Sequence, residues 1–465
     1  MEAAKPRRRR RRLHVVVFPW LAFGHLIPFL ELAKRLAARG HAAVTFVSTP
    51  RNVSHLRGRG GHGGAALPAE VSDHLRLVSL PLPRVDGLPE GAESTADVPQ
   101  EKVALLKAAF DGLAAPFAAF LADACNSGAE AAGDDEAAAA AGFGRKPDWI
   151  IVDFCHWWVP HIADEHEAKS VAAAFQPNSS GVSDADGAME LQRRCPVTFY
   201  RSCPEVEAQA CRILDSVASR RFMPTGLLAP TAGPDGGDDD ASAADLMRWL
   251  DEQPERSVVY LALGTEAPLT SANVRELARG LELSRQRFLW ALGVPTAAAR
   301  TLELLPEGFE RRVAGRGVVR RGGWVPQPRV LAVVATGWVP QVRVLAHAAV
   351  GAFLTHCGWG STVESLRFGG LPLVMLPFVG DQGIVAQAMA EKGIGAEVAR
   401  DYDDGSFRGE DVAAAVRRVM VGEEGKVFVR KAKELRDAVS DEARQEHYID
   451  EIAKYLRGYK YSGGN

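Results

Sequence analysis

The stretch from residue 338 to residue 382 concentrates side chains that could do chemistry. It offers an aromatic face at Trp338, an amide at Gln341 and carboxylates at Glu364 and Asp381. A flat aromatic ring can stack on a uracil, and Gln341 can read a hydroxyl or a base edge. Glu364 can accept both ribose hydroxyls, as the acidic residue of dinucleotide-binding folds does. This set of residue types predicts a nucleotide-sugar site, in which Asp381 and the next residue, Gln382, hold sugar hydroxyls.

The same stretch contains a predicted phosphate cradle. Residues 350–354 form a short apolar run, residues 355–359 interrupt it, and residues 361–368 have helical composition. A strand, a glycine-bearing turn and a helix N-terminus make an anion site, because free backbone N–H groups and the positive end of the helix dipole face the ligand. His356 and Ser361 would add side-chain donors.

A histidine and an aspartate near the start of the chain predict a general base. Residues 13–19 form an apolar strand, and an amphipathic helix is expected from about Leu26 to Ala38, with Pro28 in its first turn. His25 then lies at a helix N-terminus, whose dipole favours the neutral imidazole near pH 7. Asp153 ends a second apolar strand, and an aspartate behind a histidine fixes its tautomer and stabilises its charged form.

Together these segments resemble the plant secondary-product UDP-glycosyltransferases. The resemblance implies an α/β fold of the GT-B type, with two Rossmann-like domains whose parallel sheets face a cleft. It implies that His25 is the catalytic base, Asp153 its partner and Thr265 a phosphate contact. The residues predicted to contact the UDP-sugar are Thr265, Trp338, Val339, Gln341, His356, Gly358, Trp359, Gly360, Ser361, Glu364, Asp381 and Gln382.

The resemblance also implies the reaction. A hexose would pass from UDP-glucose or UDP-rhamnose to a hydroxyl of a small-molecule acceptor, with inversion at the anomeric carbon. Helix-terminus N–H groups would stabilise the leaving diphosphate, so no metal ion is required and no cofactor is expected beyond the UDP-sugar co-substrate. Residues 18–26, 48–52 and 80–95 resemble one branch of the family, whose members extend sugars on flavonoids, terpenoids or steroids. The expected acceptor is therefore a flavonoid or terpenoid glycoside.

Gly360 departs from the family pattern, which has an asparagine that binds the diphosphate. Losing one hydrogen bond to a charged group costs roughly 1.5–3 kcal/mol, so weakened donor binding is expected. The alternative is that Gly360 adopts a positive φ angle. Residues 153–229 also form a shorter segment than in similar proteins. A second hypothesis is therefore a UDP-sugar-binding relative with weak or no transferase activity.

The sequence divides into five segments. The expected segments are a disordered basic tail (1–12), an acceptor domain (13–230), a linker rich in glycine and aspartate (231–245), a UDP-sugar-binding domain (246–445) and a C-terminal helix that crosses back to the first domain (446–465). Residues 323–332 repeat almost unchanged as 337–346. Only the second copy precedes His356 by the expected number of residues. Trp338 and Gln341 are therefore assigned to the site, and Trp324 and Gln327 to a duplicate that forms a loop.

Composition limits the remaining possibilities. The net charge of −3 gives no field that would recruit nucleic acid, and the six cysteines lack metal-ligand spacing and indicate reduced thiols in a cytoplasmic protein. No apolar run is expected to reach the roughly 18 residues that a membrane helix needs. Residues 58–63 fit the dinucleotide pattern GxGxxG, but they follow no strand, so a nicotinamide oxidoreductase is disfavoured. A monomer is expected.

Overall fold

The computed structural model describes most of the chain. The described residues are 12–57, 69–130, 143, 145–166, 168–174, 191, 193–217, 221–230, 241–264, 267–292, 305–321, 334–336, 339–401 and 403–459. The six-arginine run, the GxGxxG segment, the first copy of the repeat and most of the predicted linker lie outside them.

A first parallel sheet is built from the N-terminal half of the chain. Its strands are β1 (Leu13–Phe18), β2 (Ala42–Ser48), β3 (Leu75–Ser79), β4 (Trp149–Val152), β5 (Lys169–Ala174), β6 (Val197–Tyr200) and β7 (Arg221–Pro224). They lie in the order β3-β2-β1-β4-β5-β6-β7, and every pairing is parallel.

A second parallel sheet is built from the C-terminal half. Its strands are β8 (Val258–Ala262), β9 (Arg287–Leu292), β10 (Gly317–Arg321), β11 (Val334–Thr336), β12 (Val350–Thr355), β13 (Leu373–Met375) and β14 (Gly395–Glu397). They lie in the order β11-β10-β9-β8-β12-β13-β14. The short strand β11 therefore separates the two copies of the repeat and pairs with β10 at the edge of the sheet.

Both sheets are covered on both faces, which is why their strands read as unbroken apolar runs. In β1, Val15 and Val17 enter one core, while Val16 and Phe18 enter the core on the opposite face. Successive side chains of β8 divide in the same way between the two cores of the second sheet. This layering agrees with the predicted pair of α/β domains.

Helices connect the strands and supply these layers. They are α1 (Phe23–Ala38), α2 (Pro50–Arg57), α3 (Ala69–Ser72), α4 (Val103–Asp111), α5 (Ala114–Glu130), α6 (Val159–Glu165), α7 (Pro204–Val217), α8 (Ala241–Asp251), α9 (Ser271–Ser284), α10 (Phe309–Arg312), α11 (Gln341–Leu345), α12 (Trp359–Glu364), α13 (Gln382–Glu391), α14 (Gly409–Met420), α15 (Glu423–Val439) and α16 (Glu442–Gly458). A π-helical turn, Ser365–Gly369, continues α12.

Two helices begin earlier than predicted. Helix α1 starts at Phe23 rather than near Leu26, with Ala22 at its N-cap and no side-chain cap, so the sequence carried no start signal there. Pro28 therefore lies in the second turn rather than the first. Helix α12 starts at Trp359, which places Gly360 inside the helix and makes Gly358 its N-cap.

The two domains are joined at more places than the linker. Helix α8 begins at Ala241, so the last part of the predicted linker is helical. Before the linker, Cys203, Val206, Leu227 and Ala229 already pack into a core of the second domain.

Helix α16 returns to the first domain. Its residues Ile449, Ile452 and Leu456 pack in a core of that domain, and Trp149 Nε1 donates to the Leu456 carbonyl at 3.1 Å. The end of the chain therefore packs on the sheet where the chain began.

One helical stretch of the described residues, Val103–Asp123, is long and apolar enough to cross a membrane by length and composition. It corrects the expectation that no such run exists. Leu106, Phe110, Phe117 and Leu121 are buried in the core of the first domain. A core helix passes the same test, so the stretch is weak evidence of a span.

Candidate active site

Each sheet reverses its strand order at one point, and the predicted site residues lie at those two points. In the first sheet the reversal falls between β1 and β4, which precede His25 and Asp153. In the second it falls between β8 and β12, which precede Gly264 and His356. Open α/β sheets form ligand crevices at such points, beyond the carboxyl ends of the strands.

His25 and Asp153 form a hydrogen-bonded pair. His25 Nδ1 lies 2.8 Å from Asp153 Oδ2, and their side chains are 14% and 0% exposed. An ionised carboxylate only accepts, so Nδ1 donates and Nε2 is the basic nitrogen of the neutral ring. His25 lies in the first turn of α1.

The backbone around Asp153 holds the carboxylate in place. Oδ2 also accepts from Trp20 N at 3.1 Å, and Oδ1 accepts from Phe154 N at 2.8 Å. Burial raises the pKa of Asp153, but the charge and hydrogen bond of His25, with the Trp20 amide, outweigh it, so the pKa lies below its ordinary value. Asp153 is thus ionised and oriented to stabilise a charged His25.

The turn between β12 and α12 is tightly built around the His356 ring. A Cβ on Gly264 would lie 2.8 Å from His356 Nε2, and one on Gly358 would lie 2.5 Å from the same atom. Gly264 also has a φ of +69°, and Cys357 adopts a φ of +64°, which is rare for a residue other than glycine. Backbone strain of this kind clusters at functional sites.

His356 itself is buried and neutral. Burial lowers its pKa to about 4, and its Nδ1 atom has no hydrogen-bond partner in the described part of the chain. A buried polar atom without a partner is costly, so this nitrogen marks the turn before α12 as a place with an unmet hydrogen bond.

Glu364 is held by Gln341 rather than standing alone. Gln341 Nε2 donates to Glu364 Oε2 at 2.8 Å and lies 3.4 Å from Ser361 Oγ, while Tyr260 donates to Gln341 Oε1 at 3.2 Å. Burial raises the pKa of Glu364, opposed by Gln341 and by the charge of Arg201. Gln341 thus orients the carboxylate, and its contact with a hydroxyl or base edge stays a prediction.

Gly360 has helical backbone, which removes the alternative of a positive φ. A Cβ at this position would meet only Arg201 Nη1, at 3.6 Å. The site at residue 360 is therefore open to a side chain.

Trp359 and Val339, which were also predicted to contact the UDP-sugar, have buried side chains. The Trp359 indole donates to the Arg201 carbonyl at 2.7 Å and packs in a core of the second domain, as does Val339. Trp359 therefore joins the two domains beside the site.

Asp381 and Gln382 begin helix α13. Asp381 is its N-cap residue, and Gln382 Oε1 accepts from Phe378 N and Val379 N at 2.9 and 3.1 Å. The Gln382 carbonyl thus shapes the preceding loop, and its Nε2 group remains the candidate for a sugar hydroxyl.

Some predicted residues lie outside the described part of the chain. These are Thr265 and Trp338, and with them Trp324 and Gln327 of the first repeat copy. Within the described residues, no group of three or more His, Cys, Asp and Glu side chains could hold a metal ion.

Sequence reasoning missed two residues of the site, Tyr260 and Arg201. Tyr260 lies in the middle of β8, where its alternation with Val259 and Leu261 looks like ordinary core packing. Arg201 follows β6 of the first domain, far in sequence from the helix that it touches. The only signal was a charged residue directly after a buried strand.

Comparison with known proteins accords with this geometry. A family model described as UDP-glucoronosyl and UDP-glucosyl transferase matches residues 232–436. The chain is 34% identical over 503 residues to UDP-glycosyltransferase 91C1 of Arabidopsis thaliana, covering 97% of this chain and 98% of that protein. It is 31% identical to soyasaponin III rhamnosyltransferase of Glycine max, covering 96% of each.

Solved structures agree on the fold. UGT89C1 of Arabidopsis thaliana, complexed with UDP-L-rhamnose, superposes with a TM-score of 0.74 at 24% identity, covering 96% of this chain and 99% of that one. UGT73P12 of Glycyrrhiza uralensis, complexed with glycyrrhetinic acid 3-O-monoglucuronide, gives 0.75 at 20% identity, covering 96% of each. The predicted GT-B fold is confirmed. With near-full-length relatives above 30% identity, the chain belongs to the plant UDP-glycosyltransferases, enzymes that transfer a sugar from a UDP-sugar to an acceptor.

Proposed function

We propose that the chain transfers a hexose, with inversion, from UDP-glucose or UDP-rhamnose to a hydroxyl of a flavonoid or terpenoid glycoside. The observation that carries the proposal is the His25–Asp153 pair. It lies at the sheet reversal of the first domain, and the bond to Asp153 places the ring proton on Nδ1, which makes Nε2 the basic nitrogen of the neutral imidazole. The Gln341–Glu364 pair holds the corresponding position in the second domain.

The chemistry follows from these two groups. His25 Nε2 takes the proton of the acceptor hydroxyl while that oxygen bonds to the anomeric carbon. The bond from this carbon to the diphosphate oxygen breaks on the opposite face, and UDP leaves with the electron pair. Asp153 stabilises the imidazolium that forms, and N–H groups at the start of α12 stabilise the charge on the diphosphate.

The acceptor class is supported by what the relatives are named for. One acts on soyasaponin III as a rhamnosyltransferase, and another, from Gardenia jasminoides, is a β-1,6-glucosyltransferase of β-D-glucosyl crocetin. The second name describes sugar added to a sugar already in place, which favours a glycoside over an aglycone for this chain.

A donor and acceptor screen tests the proposal. The protein is incubated with UDP-glucose or UDP-rhamnose and with paired flavonoid or terpenoid glycosides and their aglycones, and products are detected by mass. We expect a hexose or deoxyhexose added to the glycosides and a β-glucoside from α-linked UDP-glucose, read from the anomeric proton coupling by NMR. Retained α configuration would overturn the single-displacement mechanism, and preference for aglycones would overturn the acceptor class.

A second candidate is a UDP-sugar-binding relative without turnover. Two observations favour this candidate. Residue 360 has no side chain to offer the donor. The alignment to UDP-glycosyltransferase 91C1 also spans 503 positions, which exceeds the 465 residues of this chain, so this chain lacks residues that the relative has. Saturable UDP binding by calorimetry, with no product from any pair in the screen, would support this candidate.

We further propose that the enzyme works in the cytoplasm as a monomer without cofactor or metal ion. The support for the location is that the five cysteines with described side chains are free thiols. Undiminished transfer after treatment with a chelator, and a single-chain mass by light scattering, are the expected results.

A further inference from the structure

Arg201 is a buried cation held by neutral groups. It follows β6 and is 5% exposed. Its Nε donates to the Leu227 carbonyl at 2.6 Å, and its Nη2 lies 3.4 Å from the Leu228 carbonyl. Among the described residues, no carboxylate forms an ion pair with it. A buried charge is costly unless an opposite charge lies against it.

The remaining nitrogen of Arg201 faces the start of helix α12. Nη1 lies 3.6 Å from the position that a Cβ on Gly360 would take, so no side chain separates the guanidinium from the first turn of that helix. The Trp359 indole donates to the Arg201 carbonyl at 2.7 Å, which fixes the two elements against each other. Two different domains thus meet at this point.

The charge of Arg201 persists at neutral pH. Burial lowers its pKa to about 10, while the carboxylates of Glu364 and Glu31 raise it. The start of α12 therefore has two features that favour an anion: no side chain caps the helix N-terminus, and an arginine from the other domain lies beside Gly360.

We propose that Arg201 binds the diphosphate of the donor, so that the first domain contributes a cationic ligand to the leaving group across the domain boundary. The inference rests on the proposed UDP-sugar site and deepens it. Arginine suits the task, because its planar fork can keep the two carbonyl contacts while the third nitrogen reaches phosphate. Negative charge on the diphosphate grows as the sugar leaves, so the contact strengthens along the reaction.

Calorimetry with UDP and with uridine tests the inference, because only UDP carries the diphosphate. Arg201→Gln is expected to weaken UDP binding by about 10- to 100-fold and to leave uridine binding unchanged. Arg201→Lys keeps the charge but loses the planar guanidinium. Its UDP affinity is expected to lie between those of the unmodified protein and Arg201→Gln. Equal losses for UDP and uridine would show that Arg201 only ties β6 to residues 227 and 228, and would overturn the proposal.

Arg35 provides the matched control. It is a partly buried arginine on α1, with a side chain that is 11% exposed, and it bonds to Glu446 at 3.1 Å and to the Ala229 carbonyl at 3.5 Å, near the carbonyls that Arg201 uses. Arg35→Gln should leave the ratio of UDP to uridine affinity unchanged. If this ratio falls as much in Arg35→Gln as in Arg201→Gln, domain packing and not a phosphate contact determines the ratio.

Gly360→Asn gives a second, independent measurement. An amide at this position reaches into the same space as the guanidinium, so it should strengthen UDP binding more in Arg201→Gln than in the parent protein. Equal gains in both backgrounds would contradict a shared phosphate contact. If the screen shows no sugar transfer but the UDP-to-uridine ratio still depends on Arg201, the proposed reaction fails and this inference stands.

Discussion

At the scale of single residues, the His25–Asp153 pair is proposed to accept the acceptor proton, whereas other residues are proposed to bind the donor. His25 bonds to Asp153 and belongs to the first domain, while Glu364 and His356 belong to the second. Removing the base should therefore leave donor binding intact. We expect His25→Ala to lower the transfer rate by roughly 10²–10⁴ with an unchanged UDP affinity.

Asp153→Asn separates orientation from proton transfer. An amide in place of Oδ2 can present N–H to Nδ1, which would move the imidazole proton to Nε2 and block its lone pair. We expect the rate of sugar transfer to fall in Asp153→Asn, although His25 is still present and the fold is unchanged. Steady-state kinetics with UDP titration would check both variants, and wild-type rates in His25→Ala would rule out its role as the base.

At the scale of elements, the duplicated segment offers an internal control. Helix α11 begins with Gln341 of the second copy, which bonds to Glu364, whereas the equivalent Gln327 precedes strand β11. We expect Gln341→Ala to weaken UDP binding by releasing Glu364, and Gln327→Ala to have no effect. The loss should be near the scale of a hydrogen bond to a charged group, roughly 1.5–3 kcal/mol.

The aromatic residues of the two copies extend this comparison. Trp338→Ala should weaken UDP binding through lost stacking on the base, and Trp324→Ala should not. Calorimetric titration of the four variants measures both pairs. If the variants of the first copy are the weaker binders, the first copy occupies the site.

The sequence predicted the elements better than it predicted their contacts. Apolar runs ending in Asp153 and Thr355 show strands covered on both faces, because burial of a parallel sheet leaves no alternation. The start of α1 was misplaced since Ala22 caps it without a side chain. Arg201 and the bond between Gln341 and Glu364 were not predicted, because these contacts are set by packing between distant segments, which local patterns do not encode.

At the scale of the whole molecule, buried neutral histidines predict sensitivity to acid. Burial lowers the pKa of His14, His156 and His356 to about 4, against 6.5 when unfolded. Each favours the folded state fully above pH 6.5, and that contribution is lost as pH falls through about 4. The loss approaches about 3 kcal/mol for each histidine.

His156 is the residue to substitute in a test of this acid sensitivity. It lies among Phe18, Phe110 and Trp158, and its Nε2 has no partner among the described residues. We expect His156→Leu to reduce the dependence of the free energy of unfolding on pH between 6.5 and 4.5. Denaturant melts across this range measure the slope, and an unchanged slope would show that His156 does not titrate on unfolding.

Helix α16 should stabilise the first domain although it is encoded at the far end of the chain. Ile452 is fully buried there, while Lys454 is exposed on the same helix. We expect Ile452→Ala to destabilise the protein by about 2–5 kcal/mol and Lys454→Ala to change little. Denaturant unfolding of both variants measures the difference, and equal stability would mean that α16 packs loosely.

The return of α16 also determines how the domains can move. The chain belongs to the first domain before residue 231 and to the second after residue 240, and it returns to the first at α16, where Arg35 and Arg39 of α1 pair with Glu446. Two bodies joined at a single point can swing in any direction, whereas two bodies joined at two points can turn only about the line between them. The two chain connections therefore favour one rotation for any opening of the domains, and the packing of Val206 and Leu227 on the second domain opposes even that rotation.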